Sequence, residues 1–319
     1  RCLVYNVKLL PPHVKLGIRP RGRPIGFWER GSTRLSDKVR AGHLVRAMLA
    51  TDSDVICLQE VFDEGARRRF TRAFEAAGYE VFAKASAGDL FNEDSGLFFA
   101  SRMPIVWHRF DEFSAKAGPD AWSDKGVTCV RLDMASRWGN RPHALYVFNT
   151  HLQGGSQAAV RELQLAQIRH FVQRCLGEPK AGSSAAMLFG DLNVSAEHEA
   201  RVDTMAGPTT ALVPTMQYRT MRALLDQPRD LWRERNHGAG FTRDGTVNRT
   251  MTRRVDNAQH RIDYALAFDA VPEESPESEG AALVSLRCLA AEVLPFNELI
   301  GGRKHHLSDH FGVLVELRP

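Results

Sequence analysis

The chain has 319 residues, with 42 Lys+Arg against 38 Asp+Glu for a formal charge of +4, and a hydrophobic fraction of 43%. That composition excludes a disordered or collagen-like protein. No apolar run approaches the roughly 18 to 20 residues that a membrane-spanning helix needs, so no transmembrane segment is expected.

From the N-terminus, short β-branched and apolar runs recur at Leu3 to Val7, Val55 to Leu58, Leu97 to Ala100, Val127 to Leu132, Ala144 to Asn149, Ala186 to Phe189, Ile262 to Phe268, Leu283 to Val293 and Phe311 to Leu317. Each reads as a strand. Between them, Asp37 to Ala50, Glu64 to Ala77 and Ala158 to Cys175 carry apolar residues at helical spacing, as in Val39, Leu44, Val45 and Met48. So many strands overfill one ordinary sheet. Two sheets packed face to face with helices outside absorb all of them, which predicts an α/β sandwich. Length alone allows about two domains. Strand-like runs nevertheless continue to the end without a linker, so a single domain over residues 1–319 is expected. Two segments read as insertions: Leu10 to Ser36, rich in Pro, Gly and Arg, and the acidic run Val271 to Gly280.

The five Cys, at positions 2, 57, 129, 175 and 288, show no CxxC pairing, so neither a zinc knuckle nor a dense disulfide framework is expected. Cys2, Cys57 and Cys129 fall within strand-like runs and read as small core residues. The sequence enters a strand directly after Arg1, without a charged-then-apolar leader. A secreted or membrane-surface location is favoured, and a cytoplasmic one stays open.

Polar and ionisable residues gather at the ends of these runs, where α/β architectures tend to carry functional groups. Asn6 ends LVYN, Glu60 ends VICLQE and His151 ends LYVFNTH. Asp191 and Asn193 lie in GDLN, Asp263 in RIDYAL, and Asp309 and His310 in LSDH before the last strand. The order YN, QE, NTHL, GDLN, RIDYAL, SDHF resembles the endonuclease/exonuclease/phosphatase superfamily of DNase I-like phosphodiesterases and phosphomonoesterases. That resemblance implies a four-layer sandwich of two mixed β-sheets flanked by helices, with the site at one end. Within the superfamily, the segments Phe113 to Gly126, Gln59 to Ala66 and Asn149 to Gln153 look like the bacterial neutral sphingomyelinases. The likeness implies a phosphate-side Lys at Lys125, a His at His151, and a second, edge metal held by Glu64, Glu93 and Asp94. Where that group has an amide, Glu64 supplies a carboxylate.

The residue types suit the chemistry. A phosphodiester is anionic and resists hydroxide, so its cleavage needs a cation on the phosphoryl oxygens and a base for water. Glu60 and Asn6 offer hard oxygen ligands suited to Mg²⁺, with Mn²⁺ or Co²⁺ as alternatives. His310 is expected as general base or as a further metal contact. Asp309 or Asp263 would orient it, with Asp309 alternatively touching a second divalent ion. Asn193 and His151 would hold non-bridging oxygens, and Asp191 would orient the nucleophile or assist the departing alcohol.

For the substrate, basic clusters at Lys15 to Arg30, Arg67 to Arg69 and Arg253 to Arg254 allow either nucleic acid or an anionic lipid surface. Phe27 and Trp28 interrupt the first cluster and read as an interfacial anchor, which favours a phospholipid at a membrane surface over nucleic acid. Leu294, Pro295 and Phe296 form an apolar tip before the last motif, where Phe296 is a further candidate membrane contact. Three classes stay open: a phospholipase C-type enzyme cutting a choline phospholipid, a nuclease or phosphoinositide phosphatase, and an inactive binding module. Oligomeric state is not legible.

Overall fold

The computed structural model describes residues 1–10, 36–83, 94–138, 142–177, 183–205, 207–248, 251, 257–269 and 283–319. Both expected insertions fall almost wholly outside these residues, as do Phe27, Trp28 and Glu93.

With strands numbered in chain order, one six-stranded sheet contains β1 (Cys2–Leu9), β2 (Val55–Val61), β3 (Glu80–Ala83), β4 (Phe98–Ser101), β15 (Arg287–Leu294) and β18 (Gly312–Arg318). The second holds β5 (Ile105–Glu112), β6 (Gly126–Asp133), β7 (Ala144–His151), β8 (Ser184–Asp191), β11 (Arg229–Asp230) and β14 (Asp263–Phe268). Both are mixed, because β1 and β2 run parallel in the first, β7 and β8 in the second, and the other neighbours are antiparallel. Small hairpins add β9 (Glu197–Thr204) with β10 (Gly207–Pro214), β12 (Arg243–Asp244) with β13 (Gln259–His260), and β16 (Asn297–Ile300) with β17 (Arg303–His306). The expected strand from Leu283 to Val293 is shorter, since Leu283 only bridges to Ser184 before β15 begins.

Alternation along each strand builds four layers. Val4, Cys57, Val147, Met187 and Val315 interdigitate between the sheets. Their neighbours Leu3, Tyr5, Ile56 and Leu58 face outward onto helices α1 (Asp37–Leu49) and α2 (Glu64–Ala76). On the other side, Phe148 and Leu188 pack against α3 (Ala158–Leu176) and α4 (Met216–Leu224). Ser36 caps α1 and Asp63 caps α2 by accepting backbone N–H groups, which starts both helices where the sequence predicts. All five Cys are buried.

The same period of two sets up the site. Continuing the inward register by one pleat from Val4 reaches Asn6, from Phe189 reaches Asp191, and from Ala265 back reaches Asp263. From Val147, two pleats reach His151. The polar residues are therefore the end of the inter-sheet core, where apolar packing gives way to a buried polar cluster. Among the described residues, no helix is long and apolar enough to cross a membrane.

Candidate active site

Three adjacent strands hold three of the expected residues side by side: His151 is in register with Asp191, and Asp191 with Asp263. Gly190 permits this close approach, because a Cβ there would stand 2.1 Å from the Thr150 carbonyl oxygen. Beneath them, the buried Gln59 amide donates to Asn149 Oδ1 at 2.7 Å and forms a polar floor between the sheets.

Glu60 reaches the cluster through an irregularity. Strict alternation from Ile56 and Leu58 would point it outward, yet the pairing of β1 with β2 slips beyond Asn6, where Lys8 and Glu60 both adopt left-handed backbone angles (φ 48° and 56°). Such angles are costly for residues with a Cβ and cluster at functional sites. The Asn6 amide nitrogen bridges two carboxylates, donating to Glu60 Oε1 at 2.8 Å and to Asp191 Oδ2 at 3.0 Å. Its oxygen, the expected metal ligand, instead accepts the Lys8 N–H at 3.1 Å.

His151 Nε2 lies 3.6 Å from Asp191 Oδ2 and 3.9 Å from Glu60 Oε1. Burial, then Lys125 and His310, push its imidazole well below the usual range, so it is neutral near pH 7. Lys125 is buried against it at 3.3 Å and also donates to the Leu152 carbonyl and to Asp120 Oδ2. Asp191 turns its second oxygen to the Asn193 N–H at 2.9 Å, and Asn193, itself left-handed at φ 49°, donates to Leu152 O at 3.1 Å.

His310 Nδ1 pairs with Asp263 Oδ2 at 2.9 Å, and Nε2 stands 3.8 Å from Asp191 Oδ2. Asp263 is thus the residue that orients the imidazole. Asp309 does not: its carboxylate pairs with Lys8 Nζ at 2.5 Å. Burial alone would raise Asp309, but Lys8 and then His310 outweigh it and hold the group well below the carboxylate range. For His310, burial is outweighed by Asp263 and then Asp191, which raise it to about 10.

Glu60, His151 and Asp191 form one group able to hold a metal ion, and Asp191, Asp263 and His310 form a second. His310 therefore falls with Asp191 and Asp263 rather than in the group containing Glu60. Asp191 is pushed up to about 7, by burial first and by Asp263 next, and Asp263 Oδ1 is buried without a partner. A crowded set of hard oxygens with surplus negative charge fits a divalent cation of the Mg²⁺ type.

The other expected residues lie apart from this cluster. Glu64 is exposed and pairs with Arg68, while Asp94 is buried, pairs with Arg67 and accepts the Gly96 N–H at 2.8 Å. Phe296 is not an exposed tip: its ring packs 4.8 Å from that of Tyr5 and against Gly312. The turn of that hairpin is instead Gly301 and Gly302, with Leu299 exposed beside it.

Several contributors escaped the sequence reading. Asp120 sits in a 3-10 turn five residues before Lys125, and Lys8 lies one pleat beyond Asn6; only the pleat of β1 offered a signal for Lys8.

At its end this sandwich gathers carboxylates, imidazoles and an amide, a set of side chains able to hold a metal ion. The sequence pattern of the Endonuclease/Exonuclease/phosphatase family matches residues 4–310, and the chain belongs to that family. Sphingomyelinase C of Bacillus cereus is 25% identical over 185 residues, covering 52% of this chain and 51% of that protein. The chain spans between 14% and about half (51%) of the curated relatives it matches. Among solved structures, a beta toxin variant from Staphylococcus aureus with bound magnesium ions superposes with a TM-score of 0.68 at 17% identity, over 98% of each chain. The D. rerio TDP2 complex with single-strand DNA product gives 0.65 at 14% identity, over 100% of this chain and 98% of that one. At these identities the structural likeness is one of fold.

Proposed function

We propose that residues 1–319 form one catalytic domain, a divalent-metal-dependent phosphodiesterase of the phospholipase C type. It would hydrolyse sphingomyelin, or a related choline phospholipid, to ceramide or diglyceride and phosphocholine. The observation that carries this is the convergence of Glu60, Asn6, His151 and Asp191 with the His310–Asp263 pair at the end of the inter-sheet core. The sphingomyelinase relatives favour the lipid substrate.

Glu60 and Asp191, with Asn6 once its amide rotates, would hold Mg²⁺, which supplies charge neutralisation on the phosphoryl oxygens. His151 and Asn193 would bind the non-bridging oxygens from the other wall, beside Lys125. His310 Nε2 would take a proton from water as its oxygen bonds to phosphorus, and the bond to the alcohol oxygen would break, that oxygen gaining a proton from solvent, with Asp191 orienting the attacking water. Asp263 keeps the imidazole in the tautomer with Nε2 free. The substrate would be met at a membrane surface, which favours a secreted or surface-acting protein.

A nuclease is the second reading, favoured by the fold likeness to a DNA-bound protein. The test assays phosphocholine release from sphingomyelin vesicles and plasmid nicking side by side, with and without EDTA. Metal-dependent phosphocholine release without nicking supports the lipid reading. The reverse pattern supports the nuclease, and no turnover of either substrate overturns both.

A further inference from the structure

We infer that Thr242 is a positioning residue for the His310–Asp263 pair, clamping at one point the two segments that carry it. The inference rests on the assignment of His310 as general base. Thr242 is fully buried, and its hydroxyl oxygen accepts both the Ile262 N–H and the Asp263 N–H at 3.1 Å. Its carbonyl accepts the N–H of Phe311, the residue after His310, at 2.6 Å. One residue is thereby bonded to the backbone of Asp263 and to the backbone adjoining His310.

Topology explains why such a clamp is needed. On the outer side of β14 the neighbouring strand, β11, pairs only with Leu266 and Ala267. Ile262 and Asp263 lie outside the β11 pairing, and the Thr242 hydroxyl accepts the N–H of both. His310 lies just ahead of β18, outside its ladder. Thr242 is itself fixed, its N–H donating to His260 O at 2.9 Å at the base of the β12–β13 hairpin. The same loop adds a second arm, because Asn248 Nδ2 donates to Ser308 O at 2.6 Å, and Ser308 Oγ accepts the His310 N–H at 3.3 Å. A base must be held within about 0.5 Å of its productive position, and misplacement by about 1 Å costs on the order of 10²-fold in rate.

Thr242→Val keeps the shape of the side chain and removes the acceptor, leaving two buried N–H groups unpaired. Thr242→Ser keeps the acceptor. Turnover is measured per folded molecule, and the Nδ1–H proton and ¹⁵N resonances of His310 are followed in the metal-free protein, assigned by their loss in His310→Asn. Thr242→Val should lower kcat about 10- to 100-fold with KM within about twofold, and shift or broaden the Nδ1–H resonance. Thr242→Ser should restore both. Should Thr242→Val fail to fold, Thr242→Ala carries the same comparison. An unchanged kcat and resonance in the Val variant overturns the inference, as does a loss of kcat that Ser fails to rescue. If the wild-type protein cleaves no phosphodiester, the proposed function fails while the imidazole resonances still decide the role of Thr242.

Discussion

His310 Nδ1 and Asp263 Oδ2 meet at 2.9 Å across the two sheets, His310 standing ahead of β18 in one and Asp263 opening β14 in the other. The bond commits Nδ1 to donation and leaves Nε2 toward Asp191. His310→Asn, whose amide can still donate to Asp263, should keep the fold and lower kcat by about 10² to 10⁴ with a smaller change in KM. Melting temperature and kcat on one preparation decide this. A variant that melts earlier yet turns over normally removes His310 from the chemistry.

The charge of that imidazole should report on the metal. Without a cation, Asp263 and Asp191 outweigh burial and raise His310 to about 10, so it is an imidazolium at neutral pH and cannot accept a proton. A divalent cation on Glu60 and Asp191 offsets the same carboxylates, and a nearby positive charge favours the neutral base. His310 should therefore titrate near 10 in EDTA and lower in saturating Mg²⁺, as followed by its NMR shifts. Glu60→Gln should abolish the metal-induced change and cut activity by orders of magnitude. A titration indifferent to Mg²⁺ contradicts the assigned metal position.

The main layers were legible because apolar alternation and helical spacing are local signals. Asp37, Glu64 and Ala158 begin helices as the sequence predicts, and the expected strands appear with ends shifted by up to three residues, apart from Leu283 to Val293, which begins only at Arg287. β5 was missed because it is an edge strand: Val106, Arg109 and Glu112 face water, and its run IVWHRFDE reads as mixed polarity. Within the site, the motif residues were visible as strand ends, but their partners were not. Asp263 and Asp309 are the same residue type and each lies within a motif, and only the fold reveals that Lys8 takes Asp309 while His310 takes Asp263. The left-handed turns at Lys8 and Glu60 that bring both side chains round leave no mark in composition or periodicity.

Phe296 supplies a prediction opposite to the one its sequence context suggests. Its ring lies on Tyr5 and against Gly312. Phe296→Ala should behave as a core truncation, costing about 2 to 4 kcal/mol of stability, scaled down from fully buried sites because the ring is only partly buried. Vesicle binding of the folded fraction should be unchanged. Urea unfolding and vesicle sedimentation on the same protein test this, and lost vesicle binding at full stability would return Phe296 to a membrane role.

Lys8 and Asp309 give the last prediction, one with a defined pH window. Lys8 extends from a left-handed position on β1 to a carboxylate that is almost sealed from water, with side-chain exposures of 23% and 10%. Asp309 is held well below its unfolded value, against burial, by Lys8 and then His310. A carboxylate whose folded value is depressed contributes stability above its unfolded value, roughly pH 4, and loses it as pH falls through the folded one. Lys8→Met should therefore destabilise the protein at pH 7 by about 2 to 4 kcal/mol, somewhat under a fully buried pair because Lys8 keeps some water. The gap from wild type should narrow as the medium is acidified below about pH 4, because Asp309 without Lys8 takes up a proton while the paired carboxylate of the wild type stays ionised. Adding Asp309→Asn to Lys8→Met should recover part of the loss at pH 7, since the unpaired buried charge is then gone. Urea midpoints at pH 7 and in acid provide the measurement. A destabilisation that is the same at both would assign the contribution of Lys8 to its aliphatic stem instead of its charge.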